Sequence, residues 1–247
     1  MESTVLVKAF AILETLAARR EPMSLAELTE ALTLNKPTIH RILQDLIALD
    51  YVKRVSGGVY VLTNKLQRLS QDETSSRLIE IGEDLLNELH EYTNETTNLG
   101  VLQQNKISYL LVLESPHPLR RVVGAGTMDP FYSTALGRAI VSHLPETQWP
   151  RLMRGAKLRP QTDNTIVDKE VLIDTLRTNL KQGYADEWEE NDLGVMCVAV
   201  PVLVEKKPVA AISLTVPLAR MDRTRERELV ATLKKTSAAF AKAIEDS

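Results

Sequence analysis

The sequence of 247 residues has a single cysteine and no long apolar run. Cys197 has no second cysteine with which to form an internal disulfide, so the chain suits a reducing cytoplasm. Because no stretch of about 20 residues is predominantly apolar, we expect no transmembrane helix and no membrane partner. The first ten residues lack a basic segment followed by an apolar one, so we do not expect a signal peptide.

Motifs for metal, nucleotide or covalent chemistry are also missing from the sequence. The histidines lie far apart without ligand spacing; they are His40, His90, His117 and His143. There is no P-loop or dinucleotide fingerprint. No histidine with aspartate or asparagine is arranged around Cys197 as for a nucleophile. We therefore predict a protein that is not an enzyme and needs no metal or cofactor.

Residues 24–46 read as two short helices joined by a tight turn. Ser24 and Glu27 have the spacing of a capping box, which predicts a helix start. Residues 33–35 favour a turn, and Pro37 is tolerated in the first turn of the next helix. Apolar residues then recur at the spacing of a core-facing helical stripe: Ile39, Ile42, Leu43, Leu46 and Ile47.

The second helix carries polar side chains opposite this stripe. The residues furthest from it, with their flanking neighbours, are Pro37, Arg41, Gln44, Ala48, Thr38 and His40. Arginine and glutamine can make paired hydrogen bonds to base edges, and threonine can bond phosphate or base. This is what a recognition helix in a DNA major groove requires. The alternative is an ordinary amphipathic helix with a solvated face.

A β-hairpin follows the helix pair directly. Residues 50–55 and 59–62 are strand-like, and the turn at residues 56–58 contains two glycines that tolerate positive φ. Residues 36–68 include six basic and two acidic residues, although the whole chain has a net charge of −3. Helix pair, hairpin and local basic excess together predict a winged helix-turn-helix domain over residues 1–63. The candidate DNA contacts are Ser24, Lys36, Pro37, Thr38, His40, Arg41, Gln44, Lys53 and Arg54.

The rest of the chain is predicted to be a linker helix and a second domain. We assign residues 64–76 to the linker and residues 77–247 to this second domain. Strands are expected at 96–102, 107–113, 120–125, 195–204 and 209–216, and helices at 135–144, 172–180 and 223–244. Residues 146–167 are expected to be irregular. The fold class is α/β (α+β), with a mostly antiparallel sheet.

Segments along nearly the whole chain resemble those of IclR-type bacterial transcriptional regulators. In the N-terminal part they are VKAFAILETL, SLAELTEALTLNKPTIHRIL and DYVKRVSGGVYVLTNKLQRL. In the C-terminal part they are ETTNLGVL, LESPHPLRRVVGAG, YSTALGRAIVSHLP, GYADEWEENDLGVMCVAVPV and VAAISLTVP. The resemblance implies a winged helix-turn-helix domain and a dimerising linker helix. It also implies that residues 77–247 are a GAF-like effector-binding and oligomerisation domain with a curved sheet.

The resemblance also implies a small organic effector, often a carboxylate, held in a cup between the sheet and the loop before the TALG helix. Carried over position by position, the effector-binding candidates are Ala135, Leu136, Glu187, Val195, Cys197, Ser213 and Thr215. The hydroxyls of Ser213 and Thr215 share one strand face, and the start of the TALG helix favours an anion. Leu136 is expected to narrow the cup. Arg120 and Arg121 are adjacent in a predicted strand, so at most one can face an acidic effector.

Simpler interpretations of three candidates stay open. Cys197 is explained equally well as a small core residue. Glu187 lies in an acidic run that would suit a solvated loop. Hydroxyls on a central strand, such as that of Ser213, often bond neighbouring backbone.

We therefore expect a cytoplasmic DNA-binding transcriptional regulator that forms a homodimer or homotetramer. By resemblance, repression is the more common outcome. Its expected partners are a double-stranded DNA operator and a small organic acid that shifts operator affinity. One alternative is an enzymatic C-terminal domain tethered to a DNA-binding module. The other is a constitutive or protein-interaction winged helix without a small-molecule ligand.

Overall fold

The computed structural model describes residues 4–19, 21–63, 65–66 and 73–247. The chain divides into two compact units, Met1–Asp72 and Glu73–Ser247. Most of the linker helix predicted over residues 64–76 lies outside the described residues. No described helix is both long enough and apolar enough to cross a membrane.

The N-terminal unit packs three helices against a small antiparallel sheet. The helices are α1 (Val5–Arg19), α2 (Leu25–Leu32) and α3 (Lys36–Ala48). The strands are β1 (Met23–Ser24), β2 (Val52–Arg54) and β3 (Val59–Leu62), in the order β1-β3-β2. The predicted stripe of α3 is buried in the core with Ile12 and Leu16 of α1 and Leu28 of α2. The fold is the predicted winged helix-turn-helix, with β1 as an unpredicted two-residue strand.

Two side-chain caps fix where the helices of this unit begin. The Ser24 hydroxyl oxygen accepts the Glu27 N–H at 3.3 Å, and Glu27 Oε2 accepts the Ser24 N–H at 2.8 Å. The predicted capping box is thus confirmed. Asn35 Oδ1 accepts the Thr38 N–H at 3.1 Å at the start of α3. In the hairpin, Gly57 and Gly58 have φ values of 83° and 74°, which favour glycine.

The C-terminal unit is built on a six-stranded antiparallel sheet in the order β6-β5-β4-β9-β8-β7. Its strands are β4 (Thr96–Gln103), β5 (Lys106–Leu113), β6 (Met128–Pro130), β7 (Ala185–Trp188), β8 (Val195–Val204) and β9 (Lys207–Pro217). Its helices are α4 (Glu73–Thr93), α5 (Ala135–Ser142), α6 (Trp149–Ala156), α7 (Lys169–Gln182) and α8 (Arg223–Glu245).

Helices cover both faces of this sheet, which explains its nearly continuous apolar strands. Side chains of β8 such as Val198 and Val200 belong to a core shared with α4 and α8. Ala199, on the other face, belongs to a second core shared with α5 and α7. A strand buried on both faces needs no alternating polar residues. The polar residues that remain on the α5 side of the sheet are therefore exceptions to its apolar character.

Pro201 lies inside β8, where a proline normally removes a ladder hydrogen bond. The neighbouring strand β7 pairs with β8 only between Met196 and Ala199, so it ends before Pro201. The Pro201 carbonyl oxygen accepts the Ser237 hydroxyl at 2.6 Å. Because no β7 residue lies opposite Pro201, its missing N–H breaks no bond to that strand.

Two sequence predictions for this unit are wrong. Residues 120–125 form no strand; they are loop, and the edge strand is Met128–Pro130. The loop instead carries Arg121 to carboxylates on other segments. Residues 146–167 are not wholly irregular, because α6 occupies Trp149–Ala156. Pro150 lies in its first turn, where the missing N–H is harmless, so it begins the helix rather than breaking it.

The close approach of α5 to the loop before it predicts a severe effect of Gly137→Ala. A Cβ at Gly137 would lie 2.2 Å from the Phe131 carbonyl oxygen and 2.4 Å from its Cα. We expect the free energy of unfolding to fall by about 1–3 kcal/mol, as for other overpacked sites. Urea denaturation followed by tryptophan fluorescence reports on this unit, because both tryptophans, Trp149 and Trp188, lie in it.

Gly124→Ala is the matched control for this substitution. A Cβ there would meet only Thr127 Oγ1, at 3.9 Å. We expect a change within about 0.5 kcal/mol. Equal destabilisation by both alanines would contradict the proposed steric cause.

Candidate functional site

The face of α3 opposite the core is exposed and basic. Lys36, Pro37, His40, Arg41 and Gln44 are exposed there, and Thr38 is half-buried. Within the described residues, the side chains of Lys36 and Arg41 form no ion pair or hydrogen bond. Their charges are therefore not neutralised by neighbours. This helix face has the chemistry required to contact a nucleic acid.

The remaining DNA-binding candidates lie on the hairpin and at the start of α2. Lys53 and Arg54 are exposed on β2. The Arg54 guanidinium lies over the Tyr60 ring, 5.9 Å from its centroid. The Ser24 hydroxyl donates to Glu27 Oε2 at 2.7 Å, so it is already engaged as a cap. Lys53 and Arg54 thus add positive charge to the same unit as α3.

A small polar cavity lies on the α5 side of the C-terminal sheet. Its lining residues are Tyr109, Arg121, Thr134, Ala135, Leu136, Glu187, Asn191, Cys197, Ser213 and Thr215. They include every effector-binding candidate from the sequence except Val195. Val195 is at the start of β8 opposite Pro217 and does not line the cavity. Tyr109, Arg121, Thr134 and Asn191 were not among those candidates.

Strand register brings the cavity residues of the sheet together. Cys197 is opposite Glu187 on one side and Thr215 on the other. The Cys197 Sγ and Thr215 Oγ1 atoms are 3.3 Å apart. Asn98 on β4 donates from Nδ2 to Ser213 Oγ at 3.1 Å and to Thr215 Oγ1 at 3.2 Å. The two hydroxyls are thus bonded by a buried side chain that sequence reasoning missed.

The cationic residue in the cavity lining is Arg121, which is held by two carboxylates. Arg121 Nη2 is 2.8 Å from Asp129 Oδ2, and Arg121 Nε is 2.6 Å from Asp192 Oδ2. Arg121 Nη1 also donates to the Tyr109 hydroxyl at 3.3 Å. Arg120 points elsewhere and pairs with Glu114 at 2.9 Å. Arg121 therefore lines the cavity and Arg120 does not, because the loop that carries them directs the two side chains to different partners.

Burial raises the pKa of three other groups that line the cavity. Glu187 is 2 % exposed and lies in β7, not in the solvated loop that its acidic neighbours suggest. Burial raises the pKa of Glu187 to about 7, although its Oε2 accepts the Glu190 N–H at 2.9 Å. Burial also raises the pKa of the Cys197 thiol and of the Tyr109 phenol. A neutral thiol is a poor nucleophile, so Cys197 is placed to form a wall.

The cavity is small in this structure. The space open to the centre of a water molecule is about 10 Å³, which is room for about one water. Leu136 is one of its lining residues. Any ligand larger than water requires the lining residues to move.

Among the described residues, no group of three or more histidine, cysteine, aspartate or glutamate side chains is placed to hold a metal ion. One buried acid near the cavity, Glu190, is instead paired with an arginine. Arg138 binds Glu190 through Nη1 at 2.9 Å and Nη2 at 2.7 Å.

Comparisons with known proteins match both units. A family model described as "Bacterial transcriptional regulator IclR C-terminal" matches residues 72–242, and one described as "IclR helix-turn-helix domain" matches residues 5–56. The chain is 32% identical over 230 residues to the HTH-type transcriptional regulator KdgR of Escherichia coli, covering 92% of this chain and 87% of KdgR.

Solved structures also match the chain over nearly its whole length. The Thermotoga maritima IclR structure matches with a TM-score of 0.77 and 27% identity, over 96% of this chain and 97% of that one. An IclR homologue from Microbacterium hydrocarbonoxydans, solved in complex with 4-hydroxybenzoate, matches with a TM-score of 0.70 over 99% of this chain and 100% of that one. At 19% identity, the latter shows similarity of fold alone.

The raised pKa of Glu187 predicts that stability falls as the pH rises. The folded chain keeps this proton up to about pH 7, whereas the ordinary value is 4.5. Between these values the folded state binds more protons than the unfolded state, so the free energy of unfolding decreases with pH. Glu187→Gln removes this dependence. Relative to wild type, we expect the variant to gain on the order of 1–3 kcal/mol between about pH 5 and pH 8.

Urea denaturation at the two pH values, followed by tryptophan fluorescence, measures this difference. Glu83→Gln, which removes an exposed carboxylate from α4, should show no comparable change between the two pH values. A constant difference between Glu187→Gln and wild type at both pH values would show that Glu187 does not retain its proton.

Proposed function

The chain belongs to the IclR family of bacterial transcriptional regulators. We propose that it is a sequence-specific DNA-binding regulator that acts as a repressor. Its operator affinity responds to a small organic carboxylate. The observation that carries the effector assignment is Arg121, a cation that lines a polar cavity and is already bound by carboxylates. We place its action in the cytoplasm, on double-stranded DNA.

The exposed face of α3 acts as the recognition helix. Arg41 and Gln44 read base edges, Thr38 bonds base or phosphate, and His40 flanks them. Lys36, Lys53 and Arg54 bind phosphates, and Ser24 serves first as a helix cap. Because this basic surface is modest, two copies of the module are needed, as in a homodimer or homotetramer. The working boundaries are residues 1–63 for DNA binding, 64–76 for the linker and 77–247 for the effector domain.

The effector carboxylate binds Arg121 in place of an internal carboxylate. Both Asp129 and Asp192 now contact this guanidinium, but their side chains are 18% and 46% exposed respectively. The more exposed Asp192 is the one that an incoming carboxylate replaces. Arginine suits this exchange because its planar guanidinium binds carboxylates through paired hydrogen bonds.

Lining residues other than Arg121 recognise a hydroxyl or carbonyl group on the effector. Ser213, Thr215 and Glu187, whose pKa burial raises to about 7, offer both donors and acceptors in the cavity. The ligand of the Microbacterium homologue, 4-hydroxybenzoate, carries a carboxylate and a hydroxyl at opposite ends. That pairing of groups supports an effector of the same general chemistry for this chain.

The small cavity volume provides the link between binding and regulation. A ligand larger than one water fits only a conformation in which the lining has moved, so the ligand favours that conformation. A coupling of about 1–3 kcal/mol between effector and DNA binding suffices for a useful switch. The same small volume favours a second candidate, a constitutive regulator that binds no small molecule.

Arg41→Ala tests the recognition helix. Loss of a bidentate base contact costs about 1–3 kcal/mol, which is roughly 5- to 150-fold in Kd. The measurement is fluorescence anisotropy with duplexes that the wild-type protein enriches from a random pool. Arg151→Ala, which removes one exposed positive charge from the C-terminal unit, should leave Kd nearly unchanged. Equal affinity of Arg41→Ala and wild type would refute the assignment of α3.

Thermal-shift titration of the full chain with 4-hydroxybenzoate and a panel of small hydroxy and oxo acids tests the effector site. A ligand at about a hundred times its Kd stabilises the folded state by roughly 2.7 kcal/mol. For an acid that binds, Ser213→Ala should weaken the shift and Asp192→Asn should strengthen it, because Asp192 no longer competes for Arg121. Asp163→Asn, in an exposed loop, is the control. No shift with any acid would favour the constitutive regulator.

A further inference from the structure

A basic groove lies on the C-terminal unit, outside the cavity just described. It is formed by the end of α6 and the segment that leads to α7, and its volume is about 570 Å³. Four cationic side chains surround it: Arg154, Lys157, Arg159 and Lys169. Leu158 and Val167 supply apolar surface, Met153 lies buried beneath, and no acidic residue lines the groove.

Three of the four cations of this groove lie close together in the sequence. Residues 147–162 contain no acidic residue and four basic ones, which are Arg151, Arg154, Lys157 and Arg159, in a chain whose net charge is −3. The four cations of the groove are exposed, and none makes a side-chain hydrogen bond or ion pair within the described part of the chain. Arg120 and Arg220, by contrast, are paired with acids. A concave surface lined by one sign of charge concentrates counter-ions of the opposite sign.

Hydrogen bonds hold the groove segment in place. The Tyr132 hydroxyl accepts the Arg159 N–H at 3.0 Å and donates to the Arg159 carbonyl at 2.9 Å. The hydroxyl of Thr162 donates to the Glu189 carbonyl at 2.5 Å, and that of Thr165 to the Glu190 carbonyl at 2.6 Å. The backbone that carries Arg159 is therefore fixed before any ligand arrives, which reduces the entropy lost on binding.

We infer that this groove binds a phosphate-bearing small molecule with an apolar or aromatic part. Arginine and lysine together suit phosphate, because arginine binds it through two hydrogen bonds and lysine as a point charge. A single carboxylate would leave most of the four charges unbalanced, whereas a phosphate ester carries up to two negative charges. The volume falls within the range of about 300–1,000 Å³ typical of small-molecule sites.

The shape of the groove distinguishes this ligand from a DNA backbone. DNA-binding surfaces are extended basic faces or stripes, whereas these cations surround a depression with apolar side chains in its wall. The groove also adjoins the polar cavity along the chain. Tyr132, which fixes Arg159, is followed by Ser133 and then Thr134 of the cavity wall.

Isothermal titration of the full chain with phenyl phosphate, and separately with inorganic phosphate, tests the site. We expect one site per chain, with tighter binding of phenyl phosphate because its ring contacts Leu158 and Val167. The double variant Lys157→Ala/Arg159→Ala should raise the Kd for phenyl phosphate at least about tenfold, as expected for the loss of charged hydrogen bonds. Arg154→Gln on α6 should weaken binding independently.

The matched control is Arg227→Ala/Lys235→Ala, which removes one arginine and one lysine from exposed positions of α8. It should leave the Kd for phenyl phosphate within about twofold. Absence of binding to the wild-type chain, or equal weakening in the control, would overturn the proposal. A further measurement is anisotropy with the enriched DNA duplexes. If the groove variant loses DNA affinity as Arg41→Ala should, the groove is a DNA surface and the small-molecule site is wrong.

Discussion

A buried ion pair between Arg138 and Glu190 joins the parts of the C-terminal unit that surround the polar cavity. Arg138 is 1 % exposed, lies in α5 and also donates to the Asp186 carbonyl of β7. Glu190 donates its N–H to Glu187, and its carbonyl accepts the Thr165 hydroxyl. Removing either charge would leave its partner buried and uncompensated, which typically costs about 3–5 kcal/mol, so the ion pair favours this arrangement of the segments.

The polar cavity follows from this constraint. With β7 fixed against α5, Glu187 points into the interior beside Cys197, where burial favours its protonated form. Arg121 keeps its charge among the lining residues because Asp129 and Asp192 balance it. The cavity therefore combines one cationic side chain with several hydrogen-bonding groups within an otherwise apolar layer. That combination, more than the volume, selects the class of effector that we propose.

The basic groove is attached to the same region, but its cations differ from Arg121 in having no carboxylate partner among the described residues. In the cavity the cation is half-buried and compensated by carboxylates. In the groove Arg154, Lys157, Arg159 and Lys169 are exposed and have no acidic partner within the described residues. Thr162 and Thr165 attach the groove segment to the carbonyls of Glu189 and Glu190. The groove segment and the buried ion pair are thus joined at Glu190.

By itself, the sequence determined the features whose causes are local. The capping box at Ser24, the buried stripe of α3 and the paired strands β4–β5 and β8–β9 depend on residues a few positions apart. Only the tertiary structure decided which arginine of the Arg120–Arg121 pair lines the cavity, that Asn98 bonds its hydroxyls, and that Glu187 is buried. Asn98 and Thr215 are 117 residues apart and Arg121 and Asp192 are 71 apart. Such contacts depend on how the whole sheet and its loops are packed, which periodicity and capping signals within single segments do not specify.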